Sequence, residues 1–247
     1  MIIDKFALQL FSVRNSFNSD PTATLGKAAE LGYSGVEAAG LASLTPKQFR
    51  EICDGNGLEI YASHGGENDL SPDNFEKTVS HLNEMGCNRF VCAWVKPVKN
   101  ESELNDVCSR FNRYAEMLKE RNIQFFFHNH DGDMAKLGGK TVLERIMEST
   151  DDVYFELDTG WCNFGGANAC DFIRRYSGKI KLIHLKQLKS LNERKITELP
   201  NGNVIDVSEI VSVCRQNGID RFIVEQDDSD IPDIESAKIN ADYLLGR

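Results

Sequence analysis

The chain has 247 residues, the usual length of one eight-stranded α/β barrel, and can bury a large core without a disulfide framework. It is 41% hydrophobic and 27% charged, an ordinary globular composition. With 38 acidic against 28 basic residues the formal net charge is −10, which repels a phosphate backbone and argues against nucleic acid as a partner.

The seven cysteines, at 53, 87, 92, 108, 162, 170 and 214, form no CxxC pair and fall mostly in apolar or helical stretches. Reduced core thiols in a cytoplasmic protein are the expectation. The start, Met1-Ile2-Ile3-Asp4-Lys5-Phe6, has no basic region followed by a long apolar run, and no stretch reads as a membrane span.

In chain order, the first expected strand is the apolar run 6–10, leading into Gln9-Leu10-Phe11-Ser12-Val13-Arg14. No GxGxxG follows it, which argues against a dinucleotide fold. A repeating unit then sets in: an amphipathic helix, a turn with Gly or Asn, and a short apolar run. It is seen at Leu31-Gly32-Tyr33-Ser34-Gly35-Val36-Glu37, at Asn56-Gly57-Leu58-Glu59-Ile60-Tyr61-Ala62 and at Met85-Gly86-Cys87-Asn88-Arg89-Phe90-Val91. The stripe Leu104, Val107, Cys108, Phe111, Tyr114 and Leu118 predicts a helix over Leu104–Glu120. Arg121-Asn122-Ile123-Gln124-Phe125-Phe126-Phe127 repeats the unit, runs at 153–157 and 180–185 follow, and Asn217-Gly218-Ile219-Asp220-Arg221-Phe222-Ile223-Val224 closes it. Gly or Asn suits a left-handed helix cap, and the run after it suits a buried parallel strand. Eight such strands in one chain favour a single (β/α)8 TIM barrel over 1–247 rather than a doubly wound sheet.

In such a barrel the C-terminal strand ends line the active site. Of the five histidines, His64, His128, His130 and His184 fall at strand ends, and His81 sits in a helix. Taken singly, each has a plain reading: a strand-end His as a hydrogen-bonded structural residue, Asp158-Thr159-Gly160 as a turn with an Asp cap, Glu225 as half of a surface ion pair. Taken together, Asp158, His184 and Glu225 end three successive strands and must converge on one rim. Mixed imidazole and carboxylate donors suit Mn²⁺, Co²⁺, Zn²⁺ or Fe²⁺ better than Ca²⁺. His128 and His130 share strand parity. His128 is the expected fourth ligand, and His130 a substrate contact or proton-transfer group; a hydrogen-bonded pair without metal is the alternative. Glu156 shares the parity of Asp158 one layer deeper, where it would support the ligands.

The segments Leu8–Arg14, Phe127–Asp131, Phe155–Trp161, Ile183–Lys186 and Val224–Asp227, in this order and spacing, resemble the xylose isomerase-like barrel superfamily. That group includes sugar phosphate isomerases/epimerases, ketose 3-epimerases, inosose dehydratase and endonuclease IV. The resemblance implies one divalent metal (Mn, Co, Zn or Mg) held through Glu, Asp, His and Glu on strands five to eight. Asp158, His184 and Glu225 match three of these positions, and His128 stands where the strand-five Glu is expected. In the ketose epimerases that Glu is one of two acid/base residues, so its replacement turns the resemblance toward the inosose dehydratase branch.

The resulting expectation is a metal-dependent sugar isomerase/epimerase that abstracts a proton next to a carbonyl of a sugar or keto-sugar. Glu225, or a histidine of the His128/His130 pair, takes the proton. Arg14, His64 and Lys186 would meet substrate oxygens, with a rim charge as the plainer reading of Lys186. Trp94 and Trp161 would offer apolar faces to a sugar ring. The alternatives are a dehydratase/lyase on an inosose or 3-keto-glycoside, and a non-catalytic carbohydrate-binding barrel. The segment 188–205 has only Asn201-Gly202-Asn203 and no glycine-rich phosphate loop, which favours an unphosphorylated carbohydrate substrate. A homodimer is compatible with the sequence.

Overall fold

Each expected apolar run forms one strand of a closed parallel barrel in the computed structural model, which describes residues 2–247. The strands are β1 (Ala7–Gln9), β2 (Gly35–Ala39), β3 (Glu59–Gly65), β4 (Arg89–Cys92), β5 (Gln124–His128), β6 (Val153–Asp158), β7 (Ile180–Leu185) and β8 (Phe222–Val224). They lie in chain order around the ring, and β1 pairs with both β2 and β8. Outside them run α1 (Pro21–Leu31), α2 (Pro46–Gly55), α3 (Phe75–Met85), α4 (Glu101–Lys119), α5 (Val142–Ser149), α6 (Ala169–Tyr176), α7 (Val207–Gln216) and α8 (Asp233–Leu245).

The helices form where the stripe and the caps agree. In α4 the Asn100 side chain accepts from the Glu103 backbone N–H, and Glu101 and Glu103 in the first turn oppose Lys119 in the last, as the helix dipole favours. Every residue of its expected apolar stripe is buried. At the far ends, Gly32 after α1 (φ 98°) and Asn122 after α4 (φ 59°) adopt the left-handed turn that returns the chain to the sheet.

Layers of side chains fill the barrel, set by the two-residue period of the strands. Ala7, Ala62, Val91, Phe126, Leu182 and Ile223 form an apolar plug with Tyr61, against which Tyr154 packs. Gly35 makes room for it, since a Cβ there would lie 2.7 Å from the Tyr61 ring. Two residues beyond Ala7, Ala62, Phe126, Tyr154, Leu182 and Ile223 come Gln9, His64, His128, Glu156, His184 and Glu225. One more such step gives His130, Asp158, Lys186 and Asp227. The chemistry-bearing residues therefore occupy two layers above an apolar floor.

The strand ladder slips between Val36 and Glu37 on β2 and between Phe155 and Glu156 on β6. In both cases the residue after the slip is a fully buried glutamate, the kind of re-aiming that bulges provide. All seven cysteines are buried and unpaired. Among the described residues no helix is long and apolar enough to cross a membrane.

Candidate active site

A cavity of about 360 Å³ opens at the C-terminal mouth, with Phe11, Trp94, His64, His128, His130 and Glu225 in its lining. Beneath it converge one donor atom each from His128, Asp158, His184 and Glu225, all within 4.8 Å of one another. These are the four residues expected as metal ligands.

Asp158 forms the expected cap with one oxygen and turns the other toward the cluster. Its Oδ1 accepts from the Trp161 backbone N–H at 2.7 Å and caps the short helix Thr159–Phe164. Its Oδ2 is buried without a hydrogen-bond partner and lies 3.9 Å from His128 Nε2. Asn129 fixes the strand end by accepting from the Asp158 N–H at 2.9 Å.

One layer down, Glu156 Oε2 lies 3.0 Å from His128 Nδ1. This orients the ring so that Nε2 faces Asp158, the arrangement in which a carboxylate holds a ligating imidazole. His184 is held in the same manner, with Nε2 at 2.7 Å from Glu37 Oε2 and Nδ1 at 2.9 Å from Glu225 Oε2. Gln9 donates to the same Glu37 oxygen at 2.7 Å. His64 Nε2 completes the layer, 2.7 Å from Glu156 Oε2 and 3.1 Å from Glu37 Oε2.

Burial would lower the His64 imidazole, but the Glu37 and Glu156 carboxylates outweigh it and raise it to about 10. His184 is raised well above its ordinary value because Glu156, Glu225 and Glu37 likewise outweigh burial. His128 is pushed down to about 3 by burial despite its bond to Glu156. His130 is lowered to about 4 by burial and by the Lys186 charge. Burial lifts Asp158 to about 6 against the pull of Lys186. For Glu225 the opposing Lys186 and His184 charges outweigh burial and hold it well below the usual carboxylate range. Neighbouring acids and bases are thus driven apart, as at functional sites.

The donor set fits a divalent ion. Two imidazoles and two carboxylates on four successive strands match the ligands of borderline transition metals. The buried layers also hold an excess of carboxylate: Glu37 Oε1 and Glu156 Oε1 have no hydrogen-bond partner, and Asp158 Oδ2 has none besides the ion pair with the Lys186 ammonium at 2.9 Å. Such buried anionic surplus calls for a cation.

The remaining expected contacts fall in different places. Trp94 stands just past β4 at the cavity edge, 57% exposed. Trp161 is buried and lines a second cavity of about 330 Å³, which also takes in His130, Arg194 and Asp227. The Arg194 guanidinium covers its ring at 4.1 Å, so the indole face expected to meet a sugar is already occupied. Arg14 donates to the Phe11 and Asp227 carbonyls at 2.9 and 2.7 Å and lies over the Phe11 ring, a tie between loops. Lys186 is not a rim charge, because it is wholly buried among acidic residues. Gln9 and Glu37 were not among the expected site residues. The only signal for them was their position at strand ends.

A family model described as xylose isomerase-like TIM barrel matches residues 25–245. An inosose dehydratase of Clostridium tetani (strain Massachusetts / E88) is 25% identical over 152 residues, covering 55% of this chain and 50% of that protein. Another, of Geobacillus kaustophilus (strain HTA426), is 26% identical over 192 residues, covering 67% of this chain and 61% of that protein. The chain thus spans only 50–61% of the length of these two curated relatives. A sugar phosphate isomerase/epimerase from Parabacteroides distasonis ATCC 8503 superposes with a TM-score of 0.87 at 20% identity, covering 99% of each chain, a likeness of fold. By its family match and its closed eight-stranded barrel, the chain belongs to the xylose isomerase-like TIM barrel family.

Proposed function

We propose that the chain is a metal-dependent enzyme that removes a proton next to the carbonyl of a keto-sugar or inosose, with a proton returning to the opposite face of the same carbon or to the neighbouring carbon. The observation that carries this is the convergence of His128, Asp158, His184 and Glu225 beneath a cavity that His130 also lines. A divalent ion held there would supply Lewis acidity to the substrate's carbonyl and adjacent hydroxyl oxygens. Glu156 and Glu37 fix the two imidazoles, so that little reorganisation is needed as charge develops. The side chains of His128 and Glu225 already have buried partners, which leaves His130 as the group to receive the carbon-bound proton. Phe11 and Trp94 form the apolar wall against which a ring face packs.

A second reading is loss of a β-hydroxyl as water from the same enediolate. It is favoured by His128 at the strand-five position and by the relatives that are inosose dehydratases. Both readings require exchange of a carbon-bound hydrogen. The test is NMR of keto-sugars and inososes in D₂O with enzyme and Mg²⁺ or Zn²⁺. Deuterium should enter beside the carbonyl, and an ultraviolet-absorbing enone among the products would select dehydration. Saturable sugar binding without exchange would overturn both readings in favour of a carbohydrate-binding barrel.

A further inference from the structure

Lys186 is 0% exposed, and its ammonium lies 2.9 Å from Asp158 Oδ2, 2.9 Å from Glu225 Oε2 and 2.6 Å from Asp227 Oδ2. The Lys186 nitrogen makes no hydrogen bond of acceptable geometry, so charge rather than direction holds it. Its stem is admitted by Gly160, where a Cβ would lie 2.9 Å from the lysine Cβ and Cγ. The ammonium also sits 4.6 Å from the centre of the Trp161 ring.

We infer that Lys186 is a built-in counter-cation that competes with the divalent ion for Asp158 and Glu225, and that it is displaced onto Asp227 when the ion binds. This rests on the metal-dependent reading above. A divalent ion binds carboxylate oxygens at about 2.0–2.2 Å, and two cations sharing the same two buried carboxylates repel strongly. Asp227 gives the displaced ammonium somewhere to go. It is the shortest of the three contacts, it lines the second cavity, and its side chain is 28% exposed. Lys186 is thus a positioning residue that sets ion affinity. The price of metal binding includes breaking two of its three ion pairs, and the reward of the empty state is that buried carboxylates are never left wholly unpaired.

The test is calorimetric titration of Zn²⁺ and Mn²⁺ into the full chain, comparing wild type with Lys186→Met, Asp227→Asn and the double variant. K186M should bind the ion about tenfold more tightly, equivalent to about 1.4 kcal/mol. D227N should bind about tenfold more weakly, although Asp227 is not a proposed ligand. In the K186M background D227N should have little effect, because the two residues act as one unit. Equal or weaker affinity in K186M overturns the inference while leaving the metal site standing. Absence of binding in every folded variant overturns the metal-dependent reading itself. Should K186M fail to fold, Zn²⁺ titration of Trp94→Phe supplies a second readout. There the Trp161 emission should change in step with ion occupancy as the ammonium leaves its ring, and unchanged emission at saturation counts against displacement.

Discussion

The two halves of the barrel mouth differ in kind. The ends of β5 to β8 carry His128, Asp158, His184 and Glu225, all buried. The ends of β1 to β4 present Phe11, Ala39, Gly65, Ala93 and Trp94 to the same cavity, and Phe11 and Trp94 are among the most exposed large apolar side chains of the described residues. One half fixes charge in a low-dielectric layer, where it acts strongly and costs most to rearrange. The other offers apolar surface that a substrate can cover. His64 belongs to β3 but points across the divide into the carboxylates, so the division holds at the mouth and not in the layer below.

The sharpest way to break this comparison is Asp158→Ala. The variant should bind no divalent ion by calorimetry and should lose hydrogen exchange into substrate. It also removes the cap of the helix Thr159–Phe164, for a loss of about 1 kcal/mol in stability. Asp158→Asn keeps an acceptor for that cap and separates the two roles. If D158N retains full ion affinity, the buried half is not a metal site.

A smaller effect is expected from Glu156→Gln, which keeps the shape but weakens the hold on His128. Ion affinity should fall by about 10–100-fold, as for other carboxylates behind a ligating histidine. An unchanged affinity with a lower melting temperature would make Glu156 a structural partner of His64 instead.

Trp94→Ala probes the open half. It should raise KM about tenfold with kcat unchanged, the pattern of binding shared equally by ground and transition states. Stability should stay within about 0.5 kcal/mol, because the side chain is 57% exposed. A fall in kcat comparable to that of D158A would erase the distinction between the halves.

The barrel itself was legible because its signals are local. Gly32 and Asn122 mark helix ends, the stripe from Leu104 to Leu118 marks a helix face, and the runs between them mark strands. The convergence of Asp158, His184 and Glu225 was legible too, since strand-end position is enough to bring them together. What stayed hidden depends on depth and direction. Glu37 follows a slip in the β2 ladder, which no reading of alternate residues can foresee, whereas parity alone places Glu156 behind His128 although the β6 ladder slips before it too. The role of His64 is set by oxygens on β2 and β6. Lys186 has the spacing of a rim residue, yet its stem lies buried against Gly160, where a Cβ would come within 2.9 Å of it.

The smallest predicted effect on turnover falls on Arg14, which joins the two halves. Its guanidinium donates to the backbone oxygens of Phe11, on the open side, and of Asp227, on the charged side. A substrate contact and a clasp predict different outcomes for Arg14→Ala. Loss of a contact to a substrate oxygen would lower kcat/KM and leave the melting temperature alone. Loss of the clasp frees two carbonyls that are partly open to water, for about 1–2 kcal/mol of stability, or a melting-temperature drop of roughly 2–8 °C in a chain of this size. It should raise KM only a few-fold, through looser placement of the Phe11 wall. Arg14→Lys discriminates further, because a lysine can meet one substrate oxygen but is one bond shorter than the arginine, whose Nη1 reaches both carbonyls, and it lacks the planar face that lies over the Phe11 ring. If R14K restores turnover without restoring stability, Arg14 contacts substrate. If both stay reduced together, the two halves of the mouth act as one surface because Arg14 ties their loops.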